Sequence, residues 1–457
     1  MGTNAAGASV AERLATSLAA VDAARLPAAV RRKCEDLLLD VIGLCLAARN
    51  RDYVASLLAA CEDDGPCTAI GHARGLPAAA AALVNGTAAH GEDFDDTFEG
   101  GPVHAGAVIV PAVMAACERH GLAGNAALAG IAAGVEVLCR LSLVAPKAIH
   151  RAGFHPTAVL GTIAAAAGVA RALGADARRT VDALGNAGSM TGGIIEYLAE
   201  GAWTKRLHAG WAAQAGLWAA LIGGAGFQGP RTVFEGAHGL FNAFAHRRDG
   251  DFDALLGDFG TRWVMETLAF KPYPCGTMTQ PYIDCARRLA ARGISDDDVA
   301  EIVCEVAEGT VHRLWEPLAD KQRPPNGYAA KFSTPYCIAA GFVHGNLGLD
   351  AFTDAAVQHL RIRAFAEKIR YEIDANNPYP RNYTGHIRAV LRDGRVVEER
   401  QPHLRGGAHE PLSSGDVEEK FMLNARYGGW SEKQAEAARA FARKLYDGKV
   451  ALSPLRG

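Results

Sequence analysis

The chain has almost no net charge: 47 lysines and arginines against 50 aspartates and glutamates leave -3 over 457 residues. No basic excess supplies the sequence-independent attraction to phosphate that nucleic-acid binding rests on, so no nucleic-acid partner is expected. Long apolar runs are also missing. Ala105 to Cys117 and Ala158 to Ala170 fall well short of the roughly 20 residues that crossing a bilayer requires, so no membrane association is expected. The opening "MGTNAAGASVAERLA" lacks a basic stretch followed by an apolar one, which argues against a secretory signal. The ten cysteines include no CxxC pair, and most lie inside apolar patterns, as Cys45 does in "VIGLCLAA" and Cys139 in "VEVLCRLSL". Free buried thiols and a cytoplasmic location are the expectation. There is no Walker loop, no HExxH and no GxSxG. "GAGFQG", Gly224 to Gly229, fits GxGxxG, but it follows the helical run "WAAQAGLWAALI" where a dinucleotide site needs a strand, and so reads as a helix end and turn.

A chain of this length exceeds the roughly 250 to 300 residues that one hydrophobic core serves, so two domains are expected. From Ala11 to about Phe244 apolar residues recur three and four apart, with Gly, Pro or Asn between segments. Helices built on small residues, such as "AAAAALVNGTAAHG" and "GTIAAAAGVARALG", carry no bulky ridge and suit the depth of a bundle. After Phe270 the pattern changes. "VAEIVCEVA" is strand-like, and "GHIRAVLRDGRVVEERQ" is two strand-like runs around Asp393-Gly394, a hairpin signal, while "YIDCARRLAARG" and "FTDAAVQHLRIRAFAEKIR" read as helical. The expected fold is mainly α: a large all-helical domain over 1–270, completed by C-terminal helices in 406–457, and a smaller α+β domain over 271–405.

Polar islands interrupt the apolar helices. "GEDFDDTFEGGPVH", Gly91 to His104, places five carboxylates in nine positions and ends on a histidine. On a helix Asp93, Asp96 and Thr97 would share a face, with Gly100, Gly101 and Pro102 then breaking it and His104 standing at the start of the next. His155 precedes Pro156, and proline favours the first helical turn, so this imidazole should stand near the positive end of a helix. "TKRLHAGWAAQ" supplies Lys205, Arg206 and His208; Lys271 stands at the domain boundary before two prolines, and Tyr336 sits in an apolar run. Each has a plain alternative: a capping or core histidine, a surface lysine, a core tyrosine. "DDTFE" also resembles the aspartate-rich magnesium motif of terpene cyclases, but Gly193 stands where their second motif needs a glutamate, and 7% aromatics is thin for cradling a carbocation.

In order, "DFDDT" with its following histidine, "GFHPTAVLG", "TKRLHAGWAAQAG", "GFQGPRTVFEG", "KPYPC" and "AKFSTPYCIA" resemble the MmgE/PrpD family over nearly the whole chain. That family includes 2-methylcitrate dehydratases, cis-aconitate decarboxylases and iminodisuccinate epimerases. The resemblance implies an all-helical domain with a smaller α+β domain, a homodimer, no metal or organic cofactor, and a small polycarboxylate substrate. It implies a site of Asp93, Thr97, His104, His155, Lys205, Lys271 and Tyr336. A further histidine of the decarboxylases has Gly276 in its place here, which weighs against decarboxylation of cis-aconitate. On this reading Lys205 and Lys271 clamp a carboxylate as negative charge builds on it, and Arg206 or His208 holds a second. His155 or His104 abstracts the proton, and Tyr336 or the other histidine supplies one. Asp93 orients a histidine, Thr97 adds a hydrogen bond, and Glu92 and Glu99 lie in solvent. A dehydratase-type lyase is the leading expectation. An epimerase using the same groups, or a non-catalytic carboxylate-binding protein, is the alternative.

Overall fold

The computed structural model describes residues 7–457, Glu200 by its backbone alone. The N-terminal reading given above begins on residues 1–6, which lie outside the described residues. Two compact units emerge among the described residues, one of residues 7–268 and 414–457 and one of 269–413.

The first unit is helical. Its long helices are α1 Ala28–Ala48, α2 Ala78–Gly91, α3 Gly106–His120, α4 Gly124–Val144, α5 Pro156–Ala172, α6 Ala177–Met190 and α7 Thr204–Gly224. Small residues decide how they pack. A Cβ on Gly210 of α7 would run into Leu83 O and Thr87 Oγ1 of α2, and one on Gly86 would come within 2.7 Å of the Gly210 Cα. Glycine at both places therefore lets α2 and α7 touch backbone to backbone. Gly130 and Gly168 do the same for α4 and α5. The turn after α7 takes up "GAGFQG", with Gly226 at φ 97°.

One expectation about apolar length fails. α4 has 21 residues, long and apolar enough to cross a membrane; its most apolar 18-residue stretch has a mean hydropathy of 1.8 and is 94% buried. Its charged pair explains why it escapes an apolar count: Glu136 bonds Arg140 and accepts from the backbone N–H groups of Val264 and Met265.

The second unit pairs a four-stranded sheet with helices. Strands β1 Val299–Val306, β2 Ile369–Ile373, β3 Gly385–Leu391 and β4 Val396–Gln401 lie in the order β2-β1-β3-β4. β2 runs parallel to β1, with Cys304 opposite Tyr371, and the other pairs are antiparallel. The Asp393-Gly394 turn closes the β3–β4 hairpin, Gly394 supplying the positive φ of 88°. The stretch expected to remain helical to Arg370 stops short: Leu360–Ala366 is helical, and the β-branched Ile369 and Ile373 then pair with β1. This unit's longest helices are α8 Gln280–Ala291 and α9 Thr334–His344. The chain then returns to the first unit with α10 Ser414–Tyr427 and α11 Glu432–Arg443, α10 packing on α1.

Candidate active site

The acidic segment is not helical. α2 stops at Gly91, Asp93 takes φ 56°, and Thr97–Phe98 is a two-residue strand, so Asp93, Asp96 and Thr97 share no helix face. Aspartate tolerates the left-handed region better than most residues, because its short polar side chain bonds locally. Each carboxylate here has a better partner off the helix than on it. Asp96 accepts from the N–H groups of Ala105 and Gly106 at 2.9 and 2.8 Å, closing the start of α3. Asp95 reaches back to His90 Nδ1 at 2.7 Å. Asp93 pairs with Lys205 Nζ at 2.9 Å.

Glu92 is buried, contrary to the expectation of solvent, because Arg51 at 3.0 Å and the Tyr53 hydroxyl at 3.1 Å take up its carboxylate. Glu99 is half-buried. Arg206 stacks its guanidinium over the Tyr53 ring, 4.6 Å from the centroid.

Four imidazoles gather beside the Asp93–Lys205 pair. His90 closes α2, His104 stands two residues before α3, His155 is the residue before α5 with Pro156 in its first turn, and His208 lies one turn into α7. The rings of His90 and His104 are 4.7 Å apart, those of His90 and His155 5.8 Å, and those of His155 and His208 5.3 Å. His155 Nδ1 and His208 Nδ1 are 3.2 Å apart, so one carries the hydrogen and the other accepts it. His104 is tied to α5 by its N–H, which donates to Thr157 Oγ1 at 3.3 Å. The loop between α6 and α7 adds Tyr197, edge-on to His155 and His208, and Gly193, whose carbonyl accepts the His155 N–H at 2.8 Å.

Burial sets the charge states. It holds His155 well below the ordinary imidazole range, reinforced by His90, His208 and Lys205, and it lowers His208 to about 4. It lowers His90 as well, against the pull of Asp95. Asp95 goes the other way: burial would raise it, but His104 and His90 hold it well below the usual carboxylate range. Burial and the charge of Asp95 push Asp96 up to about 7. Adjacent carboxyls in one buried turn are thus driven apart.

Among the described residues, His90, Asp95 and His104 are the one group of three whose ligand-type atoms lie within 4.8 Å of one another. A metal ion draws such atoms to about 2.0–2.2 Å from itself. Here His90 Nδ1 and Asp95 Oδ2 are 2.7 Å apart, in hydrogen-bond contact. The donor set fits an internal hydrogen-bond network better than a metal.

Residues 12–253 match the MmgE/PrpD N-terminal domain and residues 273–445 the MmgE/PrpD C-terminal domain. The chain belongs to the MmgE/PrpD family. It is similar to the cis-aconitate decarboxylase of Mus musculus, 28% identical over 77% of this chain and 72% of the relative. The cis-aconitate decarboxylase of Aspergillus terreus is 24% identical over 88% and 86% of the two chains. The mitochondrial 2-methylcitrate dehydratase of Yarrowia lipolytica is 26% identical over 45% and 42%. These relatives are lyases by name, and this MmgE/PrpD chain is an enzyme.

Of the residues singled out in the sequence, the first unit of this MmgE/PrpD enzyme holds Asp93, Thr97, His104, His155, Lys205, Arg206 and His208. Thr97 is buried in its short strand. Lys271 and Tyr336 belong to the second unit and are both buried. The Tyr336 hydroxyl donates to the Ala351 carbonyl at 2.6 Å, and burial raises its pKa. Sequence reading passed over His90, Asp95 and Tyr197. The first two carry the same chemistry as their chosen neighbours. The signal that finds them is the His-to-Asp spacing of five residues across a helix end.

Proposed function

We propose that this enzyme is a lyase acting on a small di- or tricarboxylate, abstracting a proton beside a carboxylate without metal or organic cofactor, in the manner of a 2-methylcitrate dehydratase. One observation carries the reading: a half-buried ammonium, Lys205, stands with four imidazoles, at least two of which burial keeps neutral.

Removing a proton next to a carboxylate builds charge on a group that is already anionic. A cation aimed at that group offsets the penalty, and one well-placed donor contributes about 3 kcal/mol to the transition state. Neutral imidazole can take the proton, and a second one can give a hydrogen to the departing hydroxyl. The names of the relatives support both dehydration and decarboxylation. Gly276, in the place of the decarboxylases' further histidine, favours dehydration.

The test is a proton-magnetic-resonance screen of protein dialysed against EDTA over citrate, 2-methylcitrate, cis-aconitate and iminodisuccinate in deuterated water. The expected result is a new olefinic product from 2-methylcitrate. Deuterium exchange with inversion and no olefin would replace this reading with the epimerase, and loss of all activity on dialysis would refute cofactor independence. Turnover of none of the four would overturn the reading. The same assay on Lys271→Ala and Tyr336→Phe tests the roles that the resemblance implies for them.

The reading includes a homodimer. The outer face of α7 and the segment before it expose Trp203, Trp211, Trp218 and Leu198, an apolar surface that a second copy would cover. Sedimentation at twice the 48.0 kDa chain mass is expected; a monomer would contradict it.

A further inference from the structure

Asp95 is fully buried and touches two of the four imidazoles through one oxygen. Its Oδ2 lies 2.7 Å from His90 Nδ1 and 3.4 Å from His104 Nδ1. His104 Nδ1 also lies 2.7 Å from the backbone carbonyl of Asp96. A carbonyl and an ionised carboxylate only accept, so Nδ1 of each ring carries the hydrogen. A neutral imidazole has one N–H, which leaves Nε2 of both His90 and His104 as a bare lone pair. His90 Nε2 is buried without a hydrogen-bond partner, as an unused lone pair would be.

His155 is placed differently. Its ring contacts are with His208, His90 and Tyr197, and the charge of Lys205 opposes a second proton there. A proton arriving on His104 meets the Asp95 carboxylate and the Asp96 carbonyl. One arriving on His155 meets other imidazoles and an ammonium. The arrangement around His104 follows the logic of a base oriented by a buried carboxylate.

We propose that Asp95 is the positioning residue that fixes His104 with its hydrogen on Nδ1, making His104 Nε2 the base of the reaction. His90 donates its Nδ1 hydrogen to the same Asp95 oxygen at 2.7 Å and holds the carboxylate in place. The proposal rests on the lyase reading above. In the step it describes, the proton moves from the substrate carbon to His104 Nε2. The C–H electron pair becomes the new double bond, and the hydroxyl takes a proton from a second acid and leaves as water. Asp95 stays ionised throughout and stabilises the imidazolium.

The experiment uses the full-length protein labelled with ¹⁵N in histidine, together with Asp95→Asn and Asp95→Glu. In the wild type, His104, assigned through His104→Gln, should show a protonated Nδ1 and a bare Nε2. In Asp95→Asn, where the Asp96 carbonyl alone still accepts from Nδ1, part of the His104 population should move its hydrogen to Nε2. Turnover of 2-methylcitrate should fall on the order of 100-fold in kcat, with KM changed less than about threefold. Asp95→Glu should recover part of the rate.

A wild-type His104 bearing its hydrogen on Nε2 would overturn the proposal, as would an Asp95→Asn protein that keeps both tautomer and rate. If Asp95→Asn fails to fold, the wild-type tautomer still decides. Wild-type protein that turns over no acid in the screen would defeat the lyase reading and the catalytic half of this one, while the nitrogen spectra judge the tautomer separately.

Discussion

An imidazole stripped of water resists a proton, and that resistance costs the folded state stability in acid. His208 ordinarily titrates at 6.5 and is lowered to about 4 in the fold, burial being the largest cause. Between those values the unfolded chain takes up a proton that the folded chain refuses, so stability contributed above pH 6.5 is lost as pH falls toward 4. His155 is shifted in the same direction, and Asp96, raised, opposes both. The difference between wild type and His208→Gln isolates one group. Chemical denaturation at pH 4.5, 5.5 and 6.5 should show a flatter fall for the variant; parallel curves would refute a neutral His208. At this scale the sequence exposed the acids and imidazoles but not their partners. Which of the adjacent acids Glu92, Asp93, Asp95 and Asp96 meets which partner depends on one positive φ at Asp93, and helical periodicity carries no trace of it.

Helices bring these residues together only where side chains are small enough. α2 delivers His90 and α7 delivers Lys205 and His208, and the two helices meet at Gly86 and Gly210. Gly210→Ala should push them apart. Overpacking of this kind costs about 1–3 kcal/mol, and because the displacement separates Lys205 from Asp93, turnover should fall by more than stability alone explains. Calorimetry with the turnover assay checks this, and a variant with wild-type stability and rate would count against the close approach. The small-residue character of both helices was plain in the sequence, as was the Asp393-Gly394 hairpin, since each is a local signal. The end of α2 was hidden, because the bonds that compete with the helix run to His90, to Lys205 and to the start of α3.

In the first unit taken whole, the returning C-terminal helix braces the acidic turn from below. Lys420 of α10 is buried, pairs with Asp40 of α1 at 2.8 Å, donates to the Phe94 carbonyl at 2.6 Å and lies 3.9 Å from the centre of the Phe94 ring. Phe94 follows Asp93 directly, so a residue more than 300 positions away fixes the backbone that presents the Lys205 partner. Burial raises the Asp40 carboxyl against the pull of Lys420. Removing one member of such a pair costs about 3–5 kcal/mol, whereas replacing both by apolar residues costs little. Lys420→Met should therefore lower the thermal midpoint strongly, and Lys420→Met with Asp40→Leu should restore most of it. An unchanged midpoint in the single variant would contradict the brace. Periodicity marks the tail as helical. The contact itself is a long-range pairing that no local pattern encodes.

The central claim is that an ammonium and an imidazole from distant segments act together on one polyanionic substrate. It is tested most directly by measuring turnover of 2-methylcitrate by Lys205→Ala and His155→Ala beside their thermal midpoints. The expected result is a loss of at least about 100-fold in each variant, with midpoints within a few degrees of wild type. Wild-type turnover in both variants would contradict it.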